Sequence, residues 1–165
     1  MAADFVVREA THDDIPAMSA IYGREAREGH ATFDVEPRSH QAWSAYVESR
    51  APGDVALVAA DATGVLGYAY STAYRPKPAY GHTRESTVYV DPSAQGRGIG
   101  RALYAELIER MRRAGVHVVV AGIALPNDAS TRLHTSCGFT PVGTFREVGR
   151  KLDRWIDVEF YQLTL

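Results

Sequence analysis

The feature that most constrains the fold is a glycine-rich segment between a strand-like run and a helical pattern. It reads Gln-Gly-Arg-Gly-Ile-Gly over residues 95–100, follows the β-branched run 86–90 and opens an amphipathic pattern over 101–113. Glycines let a backbone approach a phosphate closely, and the first free N–H groups of a helix point towards an anion. This order therefore predicts an anion-binding βα turn, and a tight turn that binds nothing is the alternative.

Two common phosphate loops do not fit this segment. The nucleoside triphosphate loop needs a lysine after its last glycine, and Arg101 stands there instead. The dinucleotide loop, Gly-x-Gly-x-x-Gly, is not matched from Gly96 onwards. It also needs an acidic residue about 20 positions further on, where this chain has the apolar run 116–123. The segment therefore predicts a phosphate site of another class.

Composition is that of an ordinary globular chain. With 165 residues and a net charge of −2, the sequence predicts a single domain, residues 1–165, with no nucleic-acid or membrane partner. The N-terminus lacks the basic start and apolar core of a signal peptide, and the longest apolar run, 116–125, is too short to span a bilayer. Cys137 is the one cysteine, which suits a reducing compartment. We therefore expect a soluble, cytoplasmic protein.

Strand and helix patterns alternate along the chain. Apolar runs and period-two alternation predict strands at 5–8, 55–60, 65–73, 85–90, 116–123, 139–148 and 156–165. Helical spacing and end signals predict helices at 11–29, around 43–47, at 101–113 and at 127–137. Several strands adjoin through tight turns, so the predicted fold class is α/β, with a mixed sheet that contains antiparallel hairpins.

Three polar residues occupy positions where they could take part in catalysis or ligand binding. Glu85 begins the strand before the glycine loop, where burial can raise the pKa of its carboxyl group and suit it to be a general base. A solvated strand-end carboxylate is the alternative. Asn127 either caps the following helix or hydrogen-bonds a ligand amide. His134 lies within that helix, where a lone histidine is more often structural.

Taken together, these segments resemble the GNAT superfamily of N-acetyltransferases, which bind acetyl-CoA. The spacing Gln-x-x-Gly-x-Gly at 95–100 resembles the superfamily's pyrophosphate loop. The resemblance narrows to phosphinothricin and methionine sulfoximine N-acetyltransferases through Glu85–Val90, Leu125–Asp128 with Leu133-His134, and Gly149-x-Lys151-x-x-x-Trp155-x-Asp157-Val158. It covers residues 5–165 and implies a single-domain fold whose mostly antiparallel sheet has a splayed central strand pair, flanked by helices.

The resemblance also implies a role for each matching position. Glu85 is expected to be the general base and His134 the general acid of a direct acetyl transfer within a ternary complex. Main chain at 88–90 is expected to pair with the pantetheine arm, and one of its N–H groups to polarise the thioester carbonyl. The acetyl-CoA contacts implied in this way are Val88, Tyr89, Val90, Gln95, Gly96, Arg97, Gly98, Ile99, Gly100, Arg101, Asn127 and Ser130. No metal is expected.

The acceptor side is less determined. Besides Glu85, the expected substrate-binding residues are Phe33, Tyr74, Arg75 and Lys77, of which the two cations suit a carboxylate, phosphinate or sulfoximine oxygen; a solvated loop is the alternative for them. The expected acceptor is the primary amine of a small amino acid analogue with an acidic or polar tail. A polyamine, an aminoglycoside, a protein N-terminus, or a non-catalytic acyl-CoA sensor are the alternatives. Relatives of this branch further imply a homodimer.

Overall fold

Seven strands and four α-helices make up residues 4–165, the part of the chain that the computed structural model describes. The helices are α1 (Ile15–Glu28), α2 (His40–Glu48), α3 (Ile99–Arg113) and α4 (Asp128–Ser136). The strands are β1 (Val6–Glu9), β2 (Val55–Asp61), β3 (Gly64–Ala73), β4 (Thr83–Val90), β5 (Val118–Ala124), β6 (Thr140–Lys151) and β7 (Arg154–Thr164). The expected elements are all present. Their ends shift by up to four residues: α1 begins at Ile15, after a 3-10 turn at 12–14, and β6 continues past 148 to Lys151.

The strands form one sheet in the order β1-β2-β3-β4-β5-β7-β6. Neighbouring strands are antiparallel except β4 and β5, which are parallel. Their pairing begins with Thr83 opposite Val118 and ends with Glu85 opposite Val120, after which the two strands separate. The predicted mixed, mostly antiparallel sheet with a central splay is therefore confirmed. Beyond Glu85 and Val120 the facing main-chain groups of β4 and β5 have no strand partner among the described residues. Such groups need hydrogen-bond partners when they are buried.

Helices cover both faces of the sheet and create two cores. On one face, α1 and α2 bury Met18 and Trp43 against the tyrosines of β3. On the other face, α3 packs its apolar stripe on the central strands. Residues of β4 alternate between the two cores: Val88 and Val90 face α3, whereas Tyr89 packs into the aromatic core under α1. None of the helices within residues 4–165 is long and apolar enough to cross a membrane.

Candidate active site

A cavity of about 1160 Å³ follows the splay between β4 and β5. One end of it is lined by the glycine-rich segment and the starts of α3 and α4. The other end is lined by α1, the 30–33 loop and the aromatic side chains of β3 and β4. The sheet gap therefore joins a loop suited to an anion with an aromatic chamber.

At the anion end, backbone conformation explains the glycines. Gly96 and Gly98 have φ values of +79° and +78°, and α3 begins directly afterwards at Ile99. No atom lies within 4 Å of the position of a Cβ at either glycine, so the space beside them is open. The first residues of α3, whose N–H groups have no partner within the helix, line the cavity, and a helix start of this kind suits a phosphate.

The predicted cofactor contacts line this cavity with one exception. The lining includes Val88, Tyr89, Val90, Gln95, Gly96, Gly98, Ile99, Gly100, Arg101, Asn127 and Ser130. Arg97 is the exception, because its Nη2 lies 2.9 Å from an Asp4 carboxylate oxygen and 3.0 Å from one of Asp61. Two nearby carboxylates thus hold the Arg97 guanidinium outside the cavity, and the predicted acetyl-CoA contact at Arg97, through its main-chain N–H, stays a prediction.

Asn127 fulfils the capping role and keeps a free donor. Its Oδ1 accepts a hydrogen bond from the N–H of Ser130 at 3.1 Å, which makes Asn127 the N-cap of α4. Its Nδ2 has no acceptor among the described residues, and Asn127 lines the same cavity. The two roles expected as alternatives are therefore compatible, since capping uses the oxygen and a ligand carbonyl needs the nitrogen.

Glu85 stands at the point where the central strands part. It pairs with Val120 as the last parallel residue pair, and its side chain lines the cavity. Burial raises the pKa of the Glu85 carboxyl group, and the charge of Arg75 partly opposes the rise. No residue in 4–165 hydrogen-bonds this carboxylate, so it is available to a ligand.

His134 reaches the cavity beside a tyrosine. The imidazole is only 3% exposed, and its Nδ1 lies 2.7 Å from the carbonyl oxygen of Ser130. A carbonyl only accepts, so Nδ1 donates, and Nε2 of the neutral ring accepts from the Tyr104 hydroxyl at 2.8 Å. Burial lowers the pKa of His134, which favours this neutral form. The exchangeable hydrogen between the two residues therefore lies on Tyr104.

The chamber at the acceptor end is mainly aromatic. Phe33 lines it as expected, together with residues that the sequence patterns placed in the core or did not single out: Tyr22, Arg38, Tyr70, Phe145 and Phe160. The sequence offers one indication for Tyr70, because period-two alternation places it on the same strand face as Tyr68. In the structure Tyr70 lies opposite Thr87 in the β3–β4 hairpin. Thr87 is on the Glu85 face of β4, so the pairing places Tyr70 there too.

Three expected acceptor residues lie outside this chamber. Tyr74, Arg75 and Lys77 belong to the segment between β3 and β4 and do not line the cavity. Arg75 and Lys77 are exposed, and the Arg75 guanidinium lies 5.0 Å from the centre of the Tyr74 ring. Arg75 acts on the site at longer range, through its charge on Glu85.

The Gly149-x-Lys151 motif supports the loop that walls the chamber. The buried ammonium group of Lys151 donates to the carbonyl oxygens of Glu25 at 3.2 Å and Thr32 at 2.7 Å. Phe33 packs so closely on Gly149 that a side chain there would collide with its ring. The end of β6 thus sets the position of the 30–33 loop.

Comparison with known proteins shows which family the chain resembles. The acetyltransferase (GNAT) family model matches residues 15–139, which include Glu85 and His134. A phosphinothricin N-acetyltransferase from Streptomyces coelicolor is 44% identical over 99% of this chain and 98% of its own. An L-methionine sulfoximine/L-methionine sulfone acetyltransferase from Salmonella typhimurium is 38% identical over 96% of this chain and 94% of its own. A crystal structure of a phosphinothricin acetyltransferase from Sinorhizobium meliloti in complex with acetyl-CoA superposes with a TM-score of 0.92, at 33% identity, over 98% of this chain and 89% of that one.

Proposed function

The chain belongs to the acetyltransferase (GNAT) family, and from this premise we propose that it transfers acetyl from acetyl-CoA to the primary amine of a small amino acid analogue. Phosphinothricin-like and methionine sulfoximine-like amino acids are the proposed acceptor class, which the names of its relatives support. One observation carries the proposal: Glu85 places a partly buried carboxylate, without a hydrogen-bond partner in residues 4–165, at the splay between β4 and β5.

The open glycine segment and the splay fit acetyl-CoA. The N–H groups at the start of α3 would hold the pyrophosphate, and the unpaired main chain at 88–90 would hold the pantetheine arm. The free amide nitrogen of Asn127 would donate to the arm near its reactive end. When bound, acetyl-CoA supplies an acetyl group that is activated as a thioester.

Glu85 would prepare the acceptor for attack. An amine whose pKa is near 10 is an ammonium ion at neutral pH and has no lone pair until a base removes a proton. A carboxyl group with a raised pKa is a better base than an ordinary glutamate. Because the deprotonated amine attacks the thioester directly in a ternary complex, no nucleophilic side chain is required, and holding the two substrates together supplies much of the rate.

The Tyr104–His134 pair would serve the departing thiolate. His134 was expected to be the general acid, and its contacts support a role through Tyr104. Burial raises the pKa of Tyr104, so its hydroxyl stays protonated at neutral pH. In the resting site this hydroxyl donates to His134, and it would turn towards sulfur as the thiolate forms. His134, fixed by the Ser130 carbonyl, orients that hydroxyl from 2.8 Å. Tyr104, which is buried, would give its proton to sulfur. Glu85 takes the first proton from the acceptor nitrogen, and the phenolate of Tyr104 would take up the second one as the amide forms.

A homodimer is part of the proposal. The β6–β7 hairpin exposes large apolar side chains, namely Val142, Phe145, Val148, Leu152 and Trp155, each at least half exposed. Such a concentration of apolar surface marks an interaction site. Phe145 and Val148 also line the cavity, so a second copy that covers the hairpin would help to close the acceptor chamber.

The experiment that tests the function is CoA release from acetyl-CoA against a panel of amines. The panel contains phosphinothricin, methionine sulfoximine, methionine sulfone, spermidine, an aminoglycoside and a peptide with a free N-terminus. We expect turnover of the amino acid analogues and loss of it in Glu85→Gln. Turnover confined to the other amines would reject the acceptor class, and intact acetyl-CoA binding without turnover of any amine would favour a sensor.

A further inference from the structure

Arg38 holds a fixed position at the acceptor end of the cavity. Its Nη1 donates to the hydroxyl oxygens of Tyr70 at 2.8 Å and Tyr46 at 3.2 Å, and its Nε donates to an Asp34 carboxylate oxygen at 3.1 Å. Its Cζ lies 4.4 Å from the centre of the Tyr22 ring, a distance at which the ring face attracts a cation. Contacts on two edges and one face leave the guanidinium a single orientation.

One donor group of Arg38 is unused. Nη2 has no hydrogen-bond acceptor within residues 4–165, although the side chain is only 23% exposed and lines the cavity. Asp34 balances part of the positive charge, but it occupies the Nε side and also accepts from the Tyr22 hydroxyl. A planar guanidinium that is always charged and already oriented suits a carboxylate or phosphinate oxygen.

The other arginines that line the cavity serve different parts of it. Arg101 and Arg132 lie on α3 and α4, at the end with the glycine-rich segment. Arg24 forms an ion pair with Asp91, the residue that follows β4, at 3.5 Å. Among the lining residues that the structure describes, Arg38 is therefore the arginine that belongs to the aromatic chamber.

The sheet register relates Arg38 to Glu85. Tyr70, which anchors the guanidinium, lies opposite Thr87, two residues along β4 from Glu85 and on the same face. We propose that Arg38 binds the anionic tail of the amino acid acceptor while the ammonium group of the acceptor faces Glu85. This inference rests on the proposed function and names the residue that selects an acidic tail over a neutral one.

The test compares two acceptors of similar size, phosphinothricin with an anionic tail and methionine sulfone with a neutral one. In Arg38→Gln, kcat/KM for phosphinothricin should fall about 10-fold or more, mainly through KM, because a hydrogen bond to a charged group is lost. The value for methionine sulfone should fall less than about threefold. Arg38→Lys should recover part of the loss. Arg113→Gln, on the exposed end of α3, is the matched surface control and should behave as wild type.

A second variant covers the case in which Arg38→Gln does not fold. Tyr70→Phe keeps the ring and removes only the hydroxyl that orients Nη1, so it should cause a smaller loss in the same direction, selective for phosphinothricin. Equal losses for both acceptors would overturn the proposal in favour of a structural role. Selective loss in Arg75→Gln instead would also overturn it and place the anion contact at the rim. If wild type turns over neither acceptor, the proposed function itself fails.

Discussion

At the scale of single residues, the burial of Glu85 favours catalysis but lowers the free energy of unfolding at neutral pH. The folded-state pKa is raised, so the native protein binds this proton more tightly than the unfolded chain does. Stability is therefore lost as pH rises from the ordinary glutamate pKa through the folded one, and the penalty remains at neutral pH. The same shift places the acid limb of kcat/KM above pH ~4.3, the ordinary glutamate value.

Glu85→Gln should accordingly lower kcat by about 10²- to 10⁴-fold, the usual contribution of a general base, without lowering the melting temperature at pH 7. Acetyl-CoA affinity should be kept, because the base acts on the amine. Steady-state kinetics, calorimetry and thermal melts check the three statements. Wild-type turnover at neutral pH would remove Glu85 from the proton transfer.

Tyr104 provides a cleaner test of acid catalysis than its histidine partner. His134 packs against the rings of Tyr104, Phe139 and Tyr161, so His134→Ala removes packing as well as a proton acceptor. Tyr104→Phe keeps the ring and should lower kcat at least ~10-fold for a stability loss of about 1 kcal/mol, the net worth of one hydrogen bond. A variant that retains the wild-type kcat would instead assign the acid role to His134 alone.

At the scale of elements, the glycine-rich segment can be tested against a glycine with the same φ elsewhere in the chain. Gly98 and Gly115 both have a φ of +78°, and neither has an atom near its Cβ position. Alanine at either position should cost about 1–2 kcal/mol, because left-handed backbone crowds Cβ against the carbonyl oxygen. Only Gly98→Ala should also weaken acetyl-CoA binding, as measured by calorimetry. Equal binding by both variants would show that the segment is merely a turn.

The elements were the most predictable part of the molecule, because helix and strand spacings are local properties. Met18 and Tyr22 recur at helical spacing, and α1 forms there. The directions of exposed side chains were not predictable, because they depend on neighbours that folding supplies. Arg97 pairs with Asp61, from the distant β2–β3 hairpin.

The composition of the site was partly hidden for a similar reason. Tyr104 and His134 are 30 positions apart and meet only when α3 and α4 pack on the sheet. Tyr70 has the sequence signature of a core residue, and only the opening between β4 and β5 turns that core into the wall of a cavity. Core and site share one aromatic composition here, so hydrophobic periodicity cannot separate them.

At the scale of the whole molecule, the exposed β6–β7 hairpin sets the expectation of a dimer. Trp155 is 60% exposed, and Trp155→Glu would place a charge in the proposed interface. We expect sedimentation velocity to show a dimer for wild type and a monomer for the variant. The acceptor KM should rise with dissociation, since Phe145 and Val148 line the cavity. Arg113→Gln again serves as the control, and a wild-type monomer at ~100 μM would refute the dimer.

The splay between β4 and β5 also affects how ligand binding changes the stability of the fold. The central pairing of the sheet ends at Glu85, and beyond it hydrogen-bonding groups on both facing edges lack strand partners within residues 4–165. A pantetheine arm held in that gap, as proposed, would act as a surrogate strand that only the folded state can bind. Free acetyl-CoA at a hundredfold excess over its Kd would then add about 2.7 kcal/mol to the free energy of unfolding. We therefore expect the melting temperature of this protein to rise with the acetyl-CoA concentration around it.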